Sequence, residues 1–293
     1  MRVTDLYQQK AGKPIISFEF SRPKNDKAAA NLDKALETLK VAAPDYVSVT
    51  FGAGGSSREG SFELVEKLKH EKGFEVVAYL AGIGLGPDDL CACLDKFSSL
   101  GVETILAIRG DEPTWDDQYE AHPAALPHAS DLLGFIRSRY DFCLGAAGYP
   151  EGHLEAESKE KDLAYLKLKV EQGAGYIVAQ YCYDNQFFFD FVKRARVAGI
   201  TVPIFAGIMP IYTTKLMENL AKICGATITE TVRQGLGKTG DDKKAVTQLG
   251  VDFATEQCRE LLDHGVDGIH FYTMNRGNTV SAVLRTLRSE GLL

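Results

Sequence analysis

Short apolar runs alternate with longer segments of helical periodicity along the whole chain. Residues 15–20 form the first apolar run, and residues 26–41 follow with Leu32, Leu36 and Leu39 spaced along one helical face. The alternation continues to the C-terminus and predicts eight strands, each followed by helix. The predicted strands are residues 15–20, 46–50, 75–80, 104–108, 142–147, 176–180, 203–207 and 268–272. The predicted helices are residues 26–41, 58–72, 88–100, 129–140, 157–172, 185–198, 214–224, 243–264 and 279–289, with an irregular stretch at 235–242.

This alternation requires parallel strands joined by right-handed crossovers. Eight such units in 293 residues predict the α/β class and a closed (β/α)8 TIM barrel with extra helices and loops at its C-terminal face. An open doubly wound sheet is the alternative, although no G-x-G-x-x-G fingerprint follows the first strand. No break in composition divides the chain, so we expect a single catalytic domain over residues 1–293. The polar stretch 112–127, with the only tryptophan, is expected to be a functional loop.

Composition excludes several classes of partner. The chain is 45% hydrophobic and 25% charged with a net charge of −7, which is typical of a globular protein without a basic surface for nucleic acid. No apolar run reaches the roughly 18 residues of a membrane helix, and the N-terminus does not resemble a signal peptide. The six cysteines are scattered without zinc-site spacing, so we expect a reducing cytoplasm and no metal.

One carboxylate stands inside the first apolar run. Glu19 lies between Phe18 and Phe20, and an ionised carboxylate is costly to bury in apolar surroundings. Burial raises a carboxyl pKa above its free value of about 4.3, which makes a general acid. The alternative, a glutamate that faces solvent or pairs with a structural arginine, stays open from the local sequence.

Polar and aromatic residues collect where the predicted strands end, which is where a (β/α)8 barrel carries its active site. These residues are Glu19, Thr50, Tyr79, Arg109, Asp111, Tyr149, His153, Gln180, Met209, Pro210, Tyr272, Asn275 and Arg276. For several of these residues a purely structural role is the alternative to a functional one. Arg109 and Asp111 would form an ion pair, Asn275 and Arg276 would cap the last helix, and His270 would be a core histidine. The glycines of residues 52–57 would make a phosphate cradle or a plain turn.

Seven of these strand ends together resemble the methylenetetrahydrofolate reductase family. The matching segments are S-F-E-F at 17–20, V-S-V-T-F-G-A at 47–53, L-A-I-R-G-D at 106–111, A-A-G-Y-P-E-G-H at 146–153, A-Q-Y at 179–181, G-I-M-P at 207–210 and H-F-Y-T-M-N-R at 270–276. They run in order over essentially the whole chain. Each segment is weak alone, and together they are specific.

The resemblance implies an oxidoreductase that reduces 5,10-methylenetetrahydrofolate to 5-methyltetrahydrofolate with NADH or NADPH through bound FAD. Glu19 matches the general acid that promotes opening of the five-membered ring. Asp111 matches the carboxylate whose charge favours the resulting cation. Gln180 matches the amide that orients both nicotinamide and folate.

The resemblance also implies the binding residues. For FAD these are Thr50, Tyr79, Arg109, Gly110, Asp111, Ala129, Tyr149, His153, Ala156, Asp162, Tyr165 and Lys169. For the folate and nicotinamide they are Glu19, Asp111, Gln180, Tyr212 and Arg276. We further expect a homo-oligomer.

Two departures from the family pattern leave alternatives open. The third strand ends in A-Y-L-A at 78–81 instead of P-H-L-T, and Tyr165 and Leu168 replace an asparagine and an arginine that usually meet the FAD diphosphate. These changes motivate a flavin-free reductase that passes hydride directly from NADH to the same folate. A flavin barrel like that of proline dehydrogenase and a non-catalytic folate-binding subunit are further alternatives.

Overall fold

Eight parallel strands close into a barrel in the order in which they occur along the chain. They are β1 (Ile15–Phe20), β2 (Tyr46–Val49), β3 (Val76–Ala81), β4 (Thr104–Ile108), β5 (Cys143–Gly148), β6 (Tyr176–Ala179), β7 (Ile204–Ile208) and β8 (Gly268–Tyr272). The predicted (β/α)8 barrel is therefore confirmed. The computed structural model describes residues 1–52, 58–112, 119–240 and 242–293. The glycine turn after residue 52 and the tryptophan of the predicted loop lie outside these ranges.

Helices surround the barrel and fill its connections. Over the described residues they are α1 (Val3–Gln9), α2 (Asp26–Val41), α3 (Arg58–Glu66), α4 (Pro87–Ser99), α5 (Ala129–Arg137), α6 (Lys159–Glu171), α7 (Asn185–Val197), α8 (Thr214–Cys224), α9 (Glu230–Thr239), α10 (Lys243–Asp263) and α11 (Gly277–Ser289). The predicted helix over residues 58–72 continues beyond α3 as a π-helical turn, Lys67–Glu71. In these described ranges no helix combines the length and apolar character needed to span a bilayer.

The expectation of an irregular stretch at residues 235–242 was wrong, because α9 covers most of it. Its helix begins where the Thr229 side chain accepts a hydrogen bond from Val232 N, and Val232 is buried. Gly235 packs so closely on Leu249 of α10 that an added Cβ would lie 3.0 Å from Leu249 Cδ1. Glycines have low helix propensity, so this helix depends on tertiary packing that periodicity does not reveal.

Alternate residues of β1 face opposite sides of the sheet. Phe18 and Phe20 are fully buried on the outer side, where the Phe18 ring meets that of Phe271 at 6.0 Å. Ser17 and Glu19 therefore point into the barrel. The parallel register of β1 with β8 aligns Ser17 with His270 and Glu19 with Tyr272.

At the amino-terminal end of the barrel, the carboxylate of Asp267, which immediately precedes β8, joins several elements. Its Oδ1 accepts a hydrogen bond from the Tyr7 hydroxyl of α1 at 2.5 Å. Its Oδ2 accepts from Arg196 Nη2 of α7 at 3.0 Å and from Ile204 N of β7 at 2.9 Å. Asp267 thus joins α1, which the sequence did not predict, to α7 and the last two strands.

We expect Asp267→Ala to lower the free energy of unfolding by about 3 kcal/mol, because three donors lose a charged acceptor. Urea unfolding followed by circular dichroism measures this loss. Asp141→Ala is the matched control, since Asp141 pairs with Arg2 while its side chain is 93% exposed. That control should change stability by no more than about 0.5 kcal/mol. Equal midpoints for the two variants would contradict the role given to Asp267.

Candidate active site

A cavity of about 860 Å3 opens at the carboxyl ends of the barrel strands. Active sites of (β/α)8 barrels form at this end. Ten of the strand-end and FAD candidates predicted from the sequence line it, namely Glu19, Thr50, Tyr79, Arg109, Gly110, Asp111, Tyr149, His153, Gln180 and Tyr272. The structure therefore brings the three predicted catalytic side chains to one cavity.

Glu19 is the half-buried acid of this cavity. Burial raises its pKa from 4.5 to about 7, and a hydrogen bond from Tyr79 opposes that shift. A carboxyl group with such a pKa is partly protonated near neutral pH. Glu19 therefore has both the position and the protonation state of a proton donor.

A chain of buried polar groups lies beneath Glu19. The Tyr79 hydroxyl is 3.3 Å from His270 Nε2, and Ser17 Oγ is 2.7 Å from His270 Nδ1. Burial lowers the pKa of His270 to about 3, so its imidazole is neutral in the folded protein. The reading of His270 as a core histidine is confirmed, and its polar partners connect it to the cavity.

The end of β4 gives Arg109 a different partner from the one expected. Its guanidinium forms a two-point ion pair with Glu155, with Nη2 3.1 Å from Oε1, whereas Asp111 is exposed at the mouth. The alternative of an Arg109–Asp111 pair is therefore wrong. Between them Gly110 has a φ of +85°, and a Cβ there would lie 2.9 Å from Ala81 Cβ, so only glycine suits this position.

The β5 side of the mouth carries a half-buried lysine, Lys169. Lys169 Nζ donates a hydrogen bond to Ala147 O at 2.8 Å and lies 5.6 Å from the centre of the Tyr149 ring. Burial lowers the pKa of Lys169 to about 8, and it raises that of nearby Asp162. The His153 ring meets Tyr149 edge to face at 4.6 Å. Lys169 thus places one positive charge behind Tyr149, next to the Asp162 carboxyl group.

Other predicted residues lie outside the cavity lining, namely Ala129, Ala156, Asp162, Tyr165, Lys169, Tyr212 and Arg276. Tyr165 is half exposed on α6. Tyr212 is buried and donates from its hydroxyl to Tyr272 O at 3.2 Å, and the Arg276 guanidinium lies 5.3 Å from its ring centre. Since Tyr272 lines the cavity, Tyr212 and Arg276 support its wall from behind.

The alternative prediction that Asn275 and Arg276 cap the last helix, α11, with their side chains was wrong. Arg276 stands at the N-cap of α11 and makes no side-chain cap hydrogen bond. Asn275 instead accepts from Ser21 N at 3.0 Å and donates to Ser21 O at 2.8 Å. These bonds join the end of β8 to the end of β1.

Sequence reasoning missed lining residues that come from helices and loops. They include Arg58, Ile83, Leu85, Tyr119 and Ile223. Ile223, near the end of α8, is 67% exposed. An isoleucine that faces outward on that helix was the available sign that it could line a site. Strand alternation was the signal for Ser17 and His270, because both share the inward parity of Glu19 and Tyr272.

The sequence of the chain is similar to those of a known enzyme family. Residues 4–288 match the family model described as Methylenetetrahydrofolate reductase. The chain is 34% identical over 300 residues to Methylenetetrahydrofolate reductase (NADH) 1 of Arabidopsis thaliana, covering 98% of this chain and 51% of that protein. It is 31% identical over 276 residues to 5,10-methylenetetrahydrofolate reductase of Escherichia coli K12, covering 94% and 91%. The chain spans about half the length of the plant and fungal relatives it matches.

Solved structures share the barrel. An uncharacterized protein from Clostridium thermocellum, which binds two copies of 5-methyl-5,6,7,8-tetrahydrofolic acid, matches with a TM-score of 0.68 and 16% identity over 98% of both chains. Oxaloacetate acetylhydrolase in complex with 3,3-difluorooxalacetate matches with a TM-score of 0.54 and 12% identity, over 99% of this chain and 86% of that one. At these identities the likeness shows the fold.

The raised pKa of Glu19 makes a prediction about stability. Between pH 4.5 and about 7 the unfolded chain ionises at this position while the folded chain does not, so stability falls as pH rises. A shift from 4.5 to about 7 corresponds to a loss of about 3 kcal/mol at 1.36 kcal/mol per unit. Glutamine cannot ionise, so we expect Glu19→Gln to gain stability relative to the parent between pH 5 and pH 8. Urea unfolding at both pH values measures this, and a difference independent of pH would refute the assignment.

Proposed function

The chain belongs to the methylenetetrahydrofolate reductase family, and we propose that it reduces 5,10-methylenetetrahydrofolate to 5-methyltetrahydrofolate with NADH or NADPH. One observation carries the proposal. Glu19, a half-buried acid with a pKa of about 7, lines the same cavity as Asp111 and Gln180. The folate-binding protein from Clostridium thermocellum, which shares the fold, is consistent with a folate at this end of the barrel.

The proposed role of Glu19 is to open the folate's five-membered ring. Its carboxyl proton goes to N10, the bond between N10 and the methylene carbon breaks, and an iminium forms between that carbon and N5. A hydride, the hydrogen that leaves the reduced nicotinamide with its bonding electron pair, then adds to the methylene carbon and makes it a methyl group. General acid catalysis of this kind contributes about 10²–10⁴-fold in rate.

Asp111 and Gln180 have complementary roles in the proposal. The Asp111 carboxylate supplies negative charge at the cavity mouth, which favours a cationic iminium over the neutral substrate. Gln180 Oε1 accepts a hydrogen bond from Tyr181 N at 3.2 Å, which orients the side-chain amide. Its NH2 group is then the donor offered to either ligand.

FAD is the proposed carrier of hydride, and the cavity's donor set is consistent with it. When bound, FAD would accept hydride from the nicotinamide and pass it to the folate. Thr50, Tyr79, Arg109, Gly110, Asp111, Tyr149 and His153 would hold it at the cavity. Half-buried Lys169, beside Asp162 on the β5 side, would add positive charge for the diphosphate. Contacts from Ala129, Ala156 and Tyr165 remain predictions.

A flavin-free transfer of hydride from nicotinamide to folate is the second candidate, and it also has support. Arg109 is already paired with Glu155, and Lys169 already donates to a backbone carbonyl. On the solvent face of α6, Tyr165 and Leu168 are exposed and offer no charge. An FAD diphosphate would have to displace those partners.

The wider proposal covers the setting of the enzyme. All six cysteines are free thiols, which supports a cytoplasmic location. A homo-oligomeric state and a single domain over residues 1–293 are part of the same proposal. Light scattering after gel filtration and limited proteolysis test them.

Flavin content separates the two candidates. We expect the purified protein to be yellow, with about one FAD per chain, and Lys169→Gln to weaken FAD retention by about tenfold because a half-buried cation is lost. Lys167→Gln is the matched control on the exposed face of α6. A colourless protein that still reduces the folate would exclude FAD and favour direct transfer. Activity on proline alone, or folate binding without turnover, would reject the reductase.

Anaerobic stopped-flow spectroscopy tests the proposed role of Glu19 as the proton donor. We expect Glu19→Gln to slow folate reduction by at least about 100-fold while the nicotinamide half-reaction keeps most of its rate, because only the folate step needs the proton. Glu37→Gln, an exposed change on α2 far from the cavity, is the control. Unchanged folate reduction in Glu19→Gln would remove Glu19 from the mechanism.

A further inference from the structure

We propose that Tyr79 is the positioning residue of the Glu19 acid, and that buried His270 fixes Tyr79 as a donor toward it. The inference rests on the proposed reductase function and adds a role for groups below the ligand cavity. Glu19 and Tyr79 line that cavity, whereas His270 and Ser17 lie beneath it.

The first step is the continuity of the polar chain. Ser17 Oγ lies 2.7 Å from His270 Nδ1, and His270 Nε2 lies 3.3 Å from the Tyr79 hydroxyl. The hydroxyl in turn is hydrogen-bonded to the Glu19 carboxyl. Ser17 and His270 are fully buried and Tyr79 is 7% exposed, so water does not replace these partners freely.

The second step is the direction of the hydrogen bonds. An ionised Glu19 carboxylate can only accept, so Tyr79 donates its proton to it, which leaves the Tyr79 oxygen able to accept from Ser48 or from His270. His270 is neutral, because burial lowers its pKa to about 3, and it has one N–H. In the proposed tautomer that N–H is on Nε2 and points to Tyr79, while Nδ1 accepts from the Ser17 hydroxyl. Each group in the series Ser17, His270, Tyr79 then donates its proton to the next one, and Tyr79 donates to Glu19.

The third step excludes other groups packed around Glu19. Tyr272, opposite Glu19 on β8, donates its hydroxyl to Ala179 O at 3.2 Å and is committed there. Tyr272 is therefore not available as a donor to Glu19.

Charged and titratable groups elsewhere on the cavity wall do not replace Tyr79. Among the described residues they are Arg58, Arg109, Asp111, Glu112, Tyr119, Tyr149 and His153. The pKa of Glu19 responds to its burial and to the Tyr79 hydrogen bond. Of the described side chains that line the cavity, Tyr79 is the one hydrogen-bonded to Glu19.

The consequence for the reaction is specific. The carboxyl oxygen that accepts from Tyr79 is occupied, so the acidic proton of neutral Glu19 is held on the other oxygen. After that proton moves to the folate nitrogen, the carboxylate left behind keeps the Tyr79 hydrogen bond. Tyr79 therefore orients the acid before transfer and stabilises its product afterwards.

The pH dependence of folate reduction in Tyr79→Phe tests the proposal. Activity needs protonated Glu19, so it falls as pH rises through the pKa near 7. Removing a hydrogen bond that favours the carboxylate raises this pKa. We therefore expect the falling limb of the pH–rate profile, where activity is lost as pH rises, to move to higher pH by about one unit. We also expect the low-pH plateau of kcat to fall by about tenfold.

Tyr176→Phe is the matched control. It removes the same atom from a buried barrel tyrosine whose hydroxyl has no hydrogen-bond partner. We expect its limb to coincide with that of the parent protein. A limb unmoved in Tyr79→Phe, or moved equally in Tyr176→Phe, would overturn the proposal.

A double-mutant cycle tests the part played by His270. We expect His270→Leu alone to move the limb upward by less than Tyr79→Phe does, because Tyr79 remains but loses its donor. In the Tyr79→Phe background the same change should move it no further. Additive shifts would show that His270 does not act through Tyr79.

A readout independent of turnover separates this inference from the reductase function. Infrared difference spectroscopy follows the carbonyl band of protonated Glu19, identified by its loss in Glu19→Gln. We expect the titration of this band to move upward in Tyr79→Phe. If the parent protein fails to reduce the folate, the function fails, while a shifted band still supports the Tyr79–Glu19 link. Normal turnover with an unshifted band would reject the inference alone.

Discussion

The pairing of β1 with β8 is the contact on which the site depends. It closes the barrel, and its register sets Ser17 beside His270 and Glu19 beside Tyr272. Because side chains alternate along a strand, a slip of one residue would turn Glu19 outward among the helices and bring Phe18 or Phe20 into the cavity. Asp267 secures the start of β8, and the bonds of Asn275 to Ser21 tie the opposite ends of the two strands.

The electrostatics of the cavity follow from which charges are already paired. Arg109 is held by Glu155, Arg58 lies 3.5 Å from Asp89, and Lys169 donates to a carbonyl. Glu19 is largely uncharged below pH 7, whereas Asp111 is exposed at the mouth. A neutral acid beneath an exposed carboxylate suits a reaction that takes up a proton and passes through a cation.

The sequence predicted the barrel well because its signals are local. The alternation of apolar runs with amphipathic segments gave the bounds of β1, β4, α2 and α8 without error. The local sequence left the orientation of Glu19 open, and the register of β1 with β8 sets it toward the cavity. By contrast, α9 was missed because it depends on packing against Leu249. The partner of Arg109 was missed because Glu155 lies 46 residues away in a loop, where no periodic pattern connects the two. The placement of Tyr212 behind the cavity wall likewise depends on Tyr272, from a distant strand.

The buried imidazole of His270 also has a consequence for survival in acid. The folded barrel keeps it neutral down to about pH 3, whereas an unfolded chain would protonate it below about 6.5. Its contribution to stability is complete above that value and is lost progressively as the medium is acidified toward pH 3. The same ring that orders the chain beneath Glu19 therefore limits how acidic a solution the folded barrel withstands, so acid tolerance and active-site geometry cannot be altered separately at this position.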